Sequence, residues 1–168
     1  GTLIHYYFDT IDNEWKVGTT GTGEAIDLVT SYNKITKERK DYDFNLTDLF
    51  YKTCKTLGIK LTECTPGCTY IFELATKENI VINSYKKDTV KLLGIRSLEE
   101  KHGYEEFGNT FLDNFAELIN CERPIEYFFD SEYDMIESLN NVKYGDVNFE
   151  GYVIVDESMN RLKVKSNT

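Results

Sequence analysis

A chain of 168 residues, 40% hydrophobic and 14% aromatic, can bury one sizeable core, and no shift in composition divides it, so a single globular domain over 1–168 is expected. A net charge of −10 argues against nonspecific coating of nucleic acid, although basic residues gather at Lys34 to Lys40, at Lys86, Lys87 and Lys91, and at Arg161 to Lys165. No run of about 18 apolar residues and no charged segment leading into an apolar stretch occurs, so neither a membrane span nor a signal peptide is expected, and the expected location is the cytoplasm.

The first elements read as a β-hairpin, Thr2 to Phe8 and Glu14 to Thr20 around turn residues Asp9 to Asn13. The basic run Lys34 to Lys40 reads as a solvated loop or strand edge. Leu46 to Leu57, with Asn45 as its cap and apolar residues at 46, 49, 50 and 57, predicts a helix. After the Thr65-Pro66-Gly67 turn, strands are predicted over Thr69 to Ala75, Ile80 to Ile82 and Val90 to Ile95. Helices follow over Thr110 to Ile119 and Glu132 to Leu139, with a strand from Ile125 to Phe129 between them. Gly151 to Val155 and Arg161 to Lys165 close the chain as a hairpin. The expected class is therefore α+β, two mainly antiparallel sheets with peripheral helices.

The cysteines, Cys54, Cys64, Cys68 and Cys121, are too few and too unevenly spaced for a disulfide framework, so reduced thiols are expected. Cys64 and Cys68 are spaced as the start of a zinc site, but neither His5 nor His102 completes one, and no metal is assigned there. His5 and His102 read as an ordinary strand and loop histidine.

On the last strand, Lys163 and Lys165 are two residues apart and point their ammonium groups to one face, where they attract an anion. Glu150 begins the partner strand beside Gly151, whose missing side chain lets backbone or ligand approach. A carboxylate beside two lysines can hold hydrated Mg²⁺ while the lysines hold phosphate oxygens. Taken alone, Lys-x-Lys more often serves to blunt an edge strand, and Glu-Gly is a common dipeptide. Glu73 adds a third element. Alternation puts Phe72 and Leu74 on one side of its strand and the glutamate on the other, half-buried and in need of a lysine, a ligand hydroxyl or a metal-bound water.

The order Glu73, Leu92-Leu93-Gly94-Ile95, Glu150-Gly151-Tyr152-Val153, Lys163-Val164-Lys165-Ser166 resembles motifs III, IIIa, IV and V of the covalent nucleotidyltransferases, the DNA ligases, RNA ligases and capping enzymes. The best match is the bacteriophage-type ATP-dependent single-strand RNA ligase. The opening Gly1-Thr2-Leu3-Ile4 resembles the end of the first motif, Lys-x-Asp-Gly and the residues after it. Gly1 would then be its last residue, or a remnant in its place, and the lysine that becomes adenylylated would lie three residues before Gly1. Two departures stand out: Thr20 where such ligases often have a basic residue before Gly21, with Lys16 the nearest upstream cation, and no arginine in Asn79 to Val81, where Tyr85 fits better.

The resemblance implies an adenylation core acting in RNA repair, such as tRNA repair, from a phage in its host's cytoplasm. A lysine would attack the α-phosphorus of ATP, AMP would pass to an RNA 5′-phosphate, and a 3′-hydroxyl would displace it. Lys163 and Lys165 would contact the α-phosphate, Glu150 would organise Mg²⁺ through water, and Glu73 would take a ribose hydroxyl. Gly1, Thr2 and Leu93 would join them in holding the nucleotide, though for Leu92 to Ile95 and Val153 core packing is an equal reading of the residues. Without the lysine the chain would be inactive alone. The alternatives are a non-catalytic nucleotide or RNA-end binding fragment, and a DNA ligase or capping-type enzyme.

Overall fold

The computed structural model describes residues 1–33, 36–79, 87–99, 105–141 and 151–165. The architecture is α+β with antiparallel sheets and few helices. Two compact units divide the chain, Gly1–Pro124 and Ile125–Thr168.

In the first unit, β1 (Thr2–Asp9), β2 (Glu14–Gly18), β5 (Cys68–Ala75) and β6 (Thr89–Ser97) form a sheet of order β2-β1-β5-β6. Every pairing is antiparallel, with Ile4 opposite Phe72 and Phe72 opposite Leu92. Because strand side chains alternate, Ile4, Tyr6, Tyr70, Phe72, Leu74, Val90 and Leu92 share one buried face. The helices α1 (Leu46–Leu57) and α2 (Asn109–Ile119) contribute Leu49, Phe50 and Cys54, and Leu112, Ala116 and Ile119, to the same core. Both helix boundaries follow from local chemistry. Asn45 caps α1 by accepting from the Asp48 amide at 2.8 Å, and Asn120 ends α2 in the left-handed conformation.

The strands β3 (Leu28–Tyr32) and β4 (Arg39–Asn45) form a separate two-stranded sheet, with Tyr32 opposite Arg39. The sequence offered a solvated loop or a strand edge for Lys34 to Lys40, and β4 begins within that run, at Arg39. Cys54 and Cys64 are buried, Cys68 and Cys121 half-buried, and all four are free thiols, as expected. Burial pushes the Cys64 and Cys121 thiols up to about 12 and Cys54 higher still, so these are inert core groups.

In the second unit, α3 (Glu132–Asn141) precedes the hairpin β7 (Gly151–Val155) and β8 (Arg161–Lys165), whose bounds are those expected. Ile125 to Phe129 is not a strand, contrary to expectation. Two of its three aromatic residues serve packing rather than pairing: Tyr127 and Phe129 set their rings 5.4 and 5.3 Å from Tyr152, while Phe128 is exposed. The segment Ile80 to Ile82, also expected as a strand, lies outside the described residues. No helix among the described residues is long and apolar enough to cross a membrane.

Candidate functional site

The core-facing side of the four-stranded sheet is closed by helices, whereas its other side carries the polar residues of interest. Glu73 sits there, directly opposite Leu3 on β1 and Lys91 on β6, and is half-buried as alternation required. Gly1 lies against it. A Cβ at Gly1 would fall 2.7 Å from both Cγ and Oε1 of Glu73, so any side chain there would turn the carboxylate out of its present position.

This corner is fastened by Asn79, a residue to which sequence reading gave no role. Its buried amide donates to Thr2 Oγ1 at 3.1 Å and to the Leu74 carbonyl at 2.9 Å, while its oxygen accepts from the Thr76 amide at 2.7 Å and the Thr76 hydroxyl at 2.9 Å. All four hydrogen-bonding sites of the side chain are used. Asn79 thereby ties the start of β1 to the end of β5, next to Gly1 and Glu73. The local signal was a Thr-x-x-Asn turn after a strand, but its distant partner Thr2 is not visible in the sequence.

On β6, Leu92 and Ile95 are buried in the core, while Leu93 is half-buried. Ile71 pairs with Gly94 and Phe72 with Leu92, which leaves Leu93 as the extra residue of a β-bulge. Arg123 holds this bulge: its Nη1 donates to the Leu92 and Leu93 carbonyls at 2.6 and 3.2 Å, its Nη2 to Asn109 Oδ1 at 3.1 Å, and its Nε to Asp113 Oδ1 at 2.9 Å. A single guanidinium thus links the Leu92-Leu93-Gly94-Ile95 segment to α2. Sequence reading missed it.

Lys16, the cation nearest Thr20, is committed elsewhere. Its ammonium is buried among three carboxylates, 3.0 Å from Asp9, 2.8 Å from Glu24 and in contact with Asp12. The hydrogen bonds it donates to Asp12, Glu24 and Asp9 raise its pKa, and the bond from Lys16 in turn lowers that of Asp9. Thr19 to Thr22 meanwhile fold into a tight turn in which the Thr19 amide donates to the Thr22 carbonyl at 2.8 Å. Lys16 is therefore a structural group and no substitute for a basic residue at Thr20.

In the second unit, Lys163 lies opposite Val153 and Lys165 opposite Gly151, with Arg161 opposite Val155. These residues form one face of the hairpin, and all three cations are exposed on it. The other face carries Tyr152, Ile154 and Val164, with the Tyr152 hydroxyl 2.6 Å from Ser138 of α3. Gly151 has φ of 136°, and a Cβ there would stand 2.0 Å from the Val164 carbonyl oxygen. The close approach foreseen at Gly151 is thus that of the partner strand's backbone.

Glu150, Ser166, Tyr85 and His102 lie outside the described residues. Among the described residues no three His, Cys, Asp or Glu side chains are arranged to hold a metal ion. Of the expected nucleotide-binding residues, Gly1, Thr2, Glu73 and Leu93 belong to the first unit, and the first three adjoin one another. Lys163 and Lys165 share one face in the second.

Comparison with known proteins adds one relative. An RNA ligase of Rhodothermus phage RM378 is 27% identical over 110 residues, which is 64% of this chain and 24% of the relative. The chain is similar to a phage RNA ligase. The match spans about a quarter of that protein's length, and no family model matches the chain.

Proposed function

We propose that the chain is the adenylation core of an ATP-dependent RNA ligase with the nucleotidyltransferase fold. The observation that carries this reading is the β7–β8 hairpin. Gly151 makes an unusually close strand contact possible, and Lys163 and Lys165 stand on one exposed face beside it, in the pattern that resembles motifs IV and V. The phage RNA ligase relative supports the substrate class.

The reaction would proceed by in-line displacements. In the reaction that the resemblance implies, a lysine of the Lys-x-Asp-Gly motif would attack the α-phosphorus of ATP, its N–P bond forming as the P–O bond to pyrophosphate breaks. AMP then moves to an RNA 5′-phosphate, and a 3′-hydroxyl oxygen displaces it to form the phosphodiester. Such transfers ask protein groups for positioning and for charge balance on nonbridging oxygens. Lys163 and Lys165 would supply positive charge for the α-phosphate, as the resemblance to motif V implies. Glu73, seated against Gly1, accepts from a ribose hydroxyl, with Thr2 and Leu93 completing the nucleotide contacts. Glu150 would hold Mg²⁺ through water, and that ion would supply further neutralisation of phosphate charge.

A version of the protein carrying Lys-x-Asp ahead of Gly1 is expected to become covalently labelled by α-labelled ATP with Mg²⁺. Changing Lys163, Lys165, Glu150 or Glu73 to Ala is expected to cut labelling about 100-fold or more. Labelling that survives all four substitutions would overturn the site, and nucleotide binding without labelling would favour a non-catalytic binding core.

A further inference from the structure

The β3–β4 hairpin has no place in the nucleotide site proposed above. Its base is anchored: Val29 is buried, and Tyr42, Phe44 and Leu46 pack on the core of the first unit. Its outer end is not. Tyr32 is 39% exposed, its cross-strand partner Arg39 is 67% exposed, and Lys37 is exposed in the connection between the two strands. Four of the chain's nineteen lysine and arginine residues, Lys34, Lys37, Arg39 and Lys40, fall within this stretch of an otherwise acidic protein.

The local hydrogen bonding leaves this charge turned outward. Glu38, the only acidic residue among residues 32–40, accepts the Thr36 hydroxyl at 3.0 Å. Arg39 gives only its Nε to Asp41, at 3.0 Å, and its two terminal nitrogens are directed to no acceptor among the described residues. Lys40 belongs to the opposite face, across from buried Ser31, where its ammonium lies 4.9 Å from the centroid of the Tyr42 ring. Because residues paired across antiparallel strands share a face, the Tyr32 ring and the Arg39 guanidinium stand side by side on the outward surface. An exposed ring next to a guanidinium whose terminal nitrogens remain available suits a chain of bases and phosphates: the ring offers a stacking surface, and Arg39 with Lys37 offers phosphate contacts.

We propose that the outer end of this hairpin, Tyr32 with Lys37 and Arg39, is a docking surface for the backbone of single-stranded RNA, with one base stacked on Tyr32. The proposal rests on the RNA-ligase reading for its choice of nucleic acid. The surface contributes affinity and register, and takes no part in the transfer of AMP.

The test compares RNA affinity with ATP affinity in the same proteins. A 5′-phosphorylated single-stranded RNA oligonucleotide is titrated by fluorescence anisotropy at several salt concentrations, and ATP by calorimetry. The parent chain is set against the double variant Lys37→Gln, Arg39→Gln and against Tyr32→Ala, each checked for an unchanged melting temperature. The double variant is expected to bind RNA at least about tenfold more weakly, with a salt dependence reduced by roughly one unit of slope for each phosphate that is no longer neutralised. Tyr32→Ala is expected to lose about fivefold or more with its salt dependence unchanged. ATP affinity is expected to stay the same in both. RNA affinity within twofold of the parent in both variants would overturn the hairpin proposal, as would a parent that binds ATP and no RNA. Hairpin-dependent RNA binding by a parent without affinity for ATP would uphold the docking surface and overturn the ligase reading.

Discussion

Lys16 shows how one residue's surroundings can remove it from one task and fix it in another. Its three carboxylate partners come from the turn after β1 and from the segment after the Thr19 to Thr22 turn, so a single buried ammonium joins two connections on one side of the sheet. The pH dependence follows from the shifts. Asp9 is held below its ordinary range, so its contribution to stability is complete above about pH 4 and is lost as pH falls through the lower folded value. Lys16 is raised, so its contribution is complete below about pH 10 and is lost only as pH rises beyond that. Lys16→Met keeps the length of the side chain and leaves the carboxylates facing one another uncompensated. Denaturant unfolding is expected to show the variant clearly less stable than the parent at pH 7, with the gap narrowing near pH 3 as Asp9 takes up a proton. An equal gap at both values would show that Lys16 acts through packing alone.

Among the elements, the β7–β8 hairpin is the most demanding of a particular residue. Gly151 combines a left-handed φ of 136° with a partner carbonyl 2.0 Å from the position of any Cβ, so Gly151→Ala cannot be absorbed by a rotamer change. The strands must separate or slip, at a cost of about 3 kcal/mol or more. Loss of the amide protection pattern of Tyr152 to Val155 in hydrogen exchange, with that of Tyr70 to Leu74 retained, is the expected signature; unaltered protection in β7 would contradict it. The hairpin was legible in the sequence because its turn, its alternation and its Glu-Gly start agree. The β3–β4 hairpin was not, because only Val29 and Ser31 are buried in β3 and β4 is dominated by charged residues, which leaves almost no hydrophobic period to read. Ile125 to Phe129 misled in the opposite sense: its aromatic density reflects packing on Tyr152, and composition alone does not separate that from pairing. The side of β5 that carries Glu73 could be read from alternation. Asn79 and Arg123 could not, since each acts through partners that only the folded chain brings near.

At the scale of the whole molecule, the division into Gly1–Pro124 and Ile125–Thr168 separates stability from the proposed phosphate contacts. Among the described residues, every buried hydrophobic side chain except Leu139 belongs to the first unit, which also contains all of the four-stranded sheet, α1 and α2. Its core is continuous from Ile4 to Ile119 and includes the stack of Tyr6 on Trp15, with ring centroids 4.6 Å apart. A fragment of residues 1–124 therefore retains the helices and strands that bury its own apolar surface, and is expected to unfold cooperatively with the near-ultraviolet dichroism of an ordered tryptophan. The same fragment keeps Gly1, Thr2, Glu73 and Leu93 but has no Lys163 or Lys165, so under the proposed function its ATP affinity should fall at least tenfold, the loss of about one charge-assisted hydrogen bond. A fragment without cooperative unfolding would show that the first unit depends on the second for its fold. One that folds and binds ATP as tightly as the full chain would remove the two lysines from the nucleotide site while leaving the similarity to a phage RNA ligase untouched.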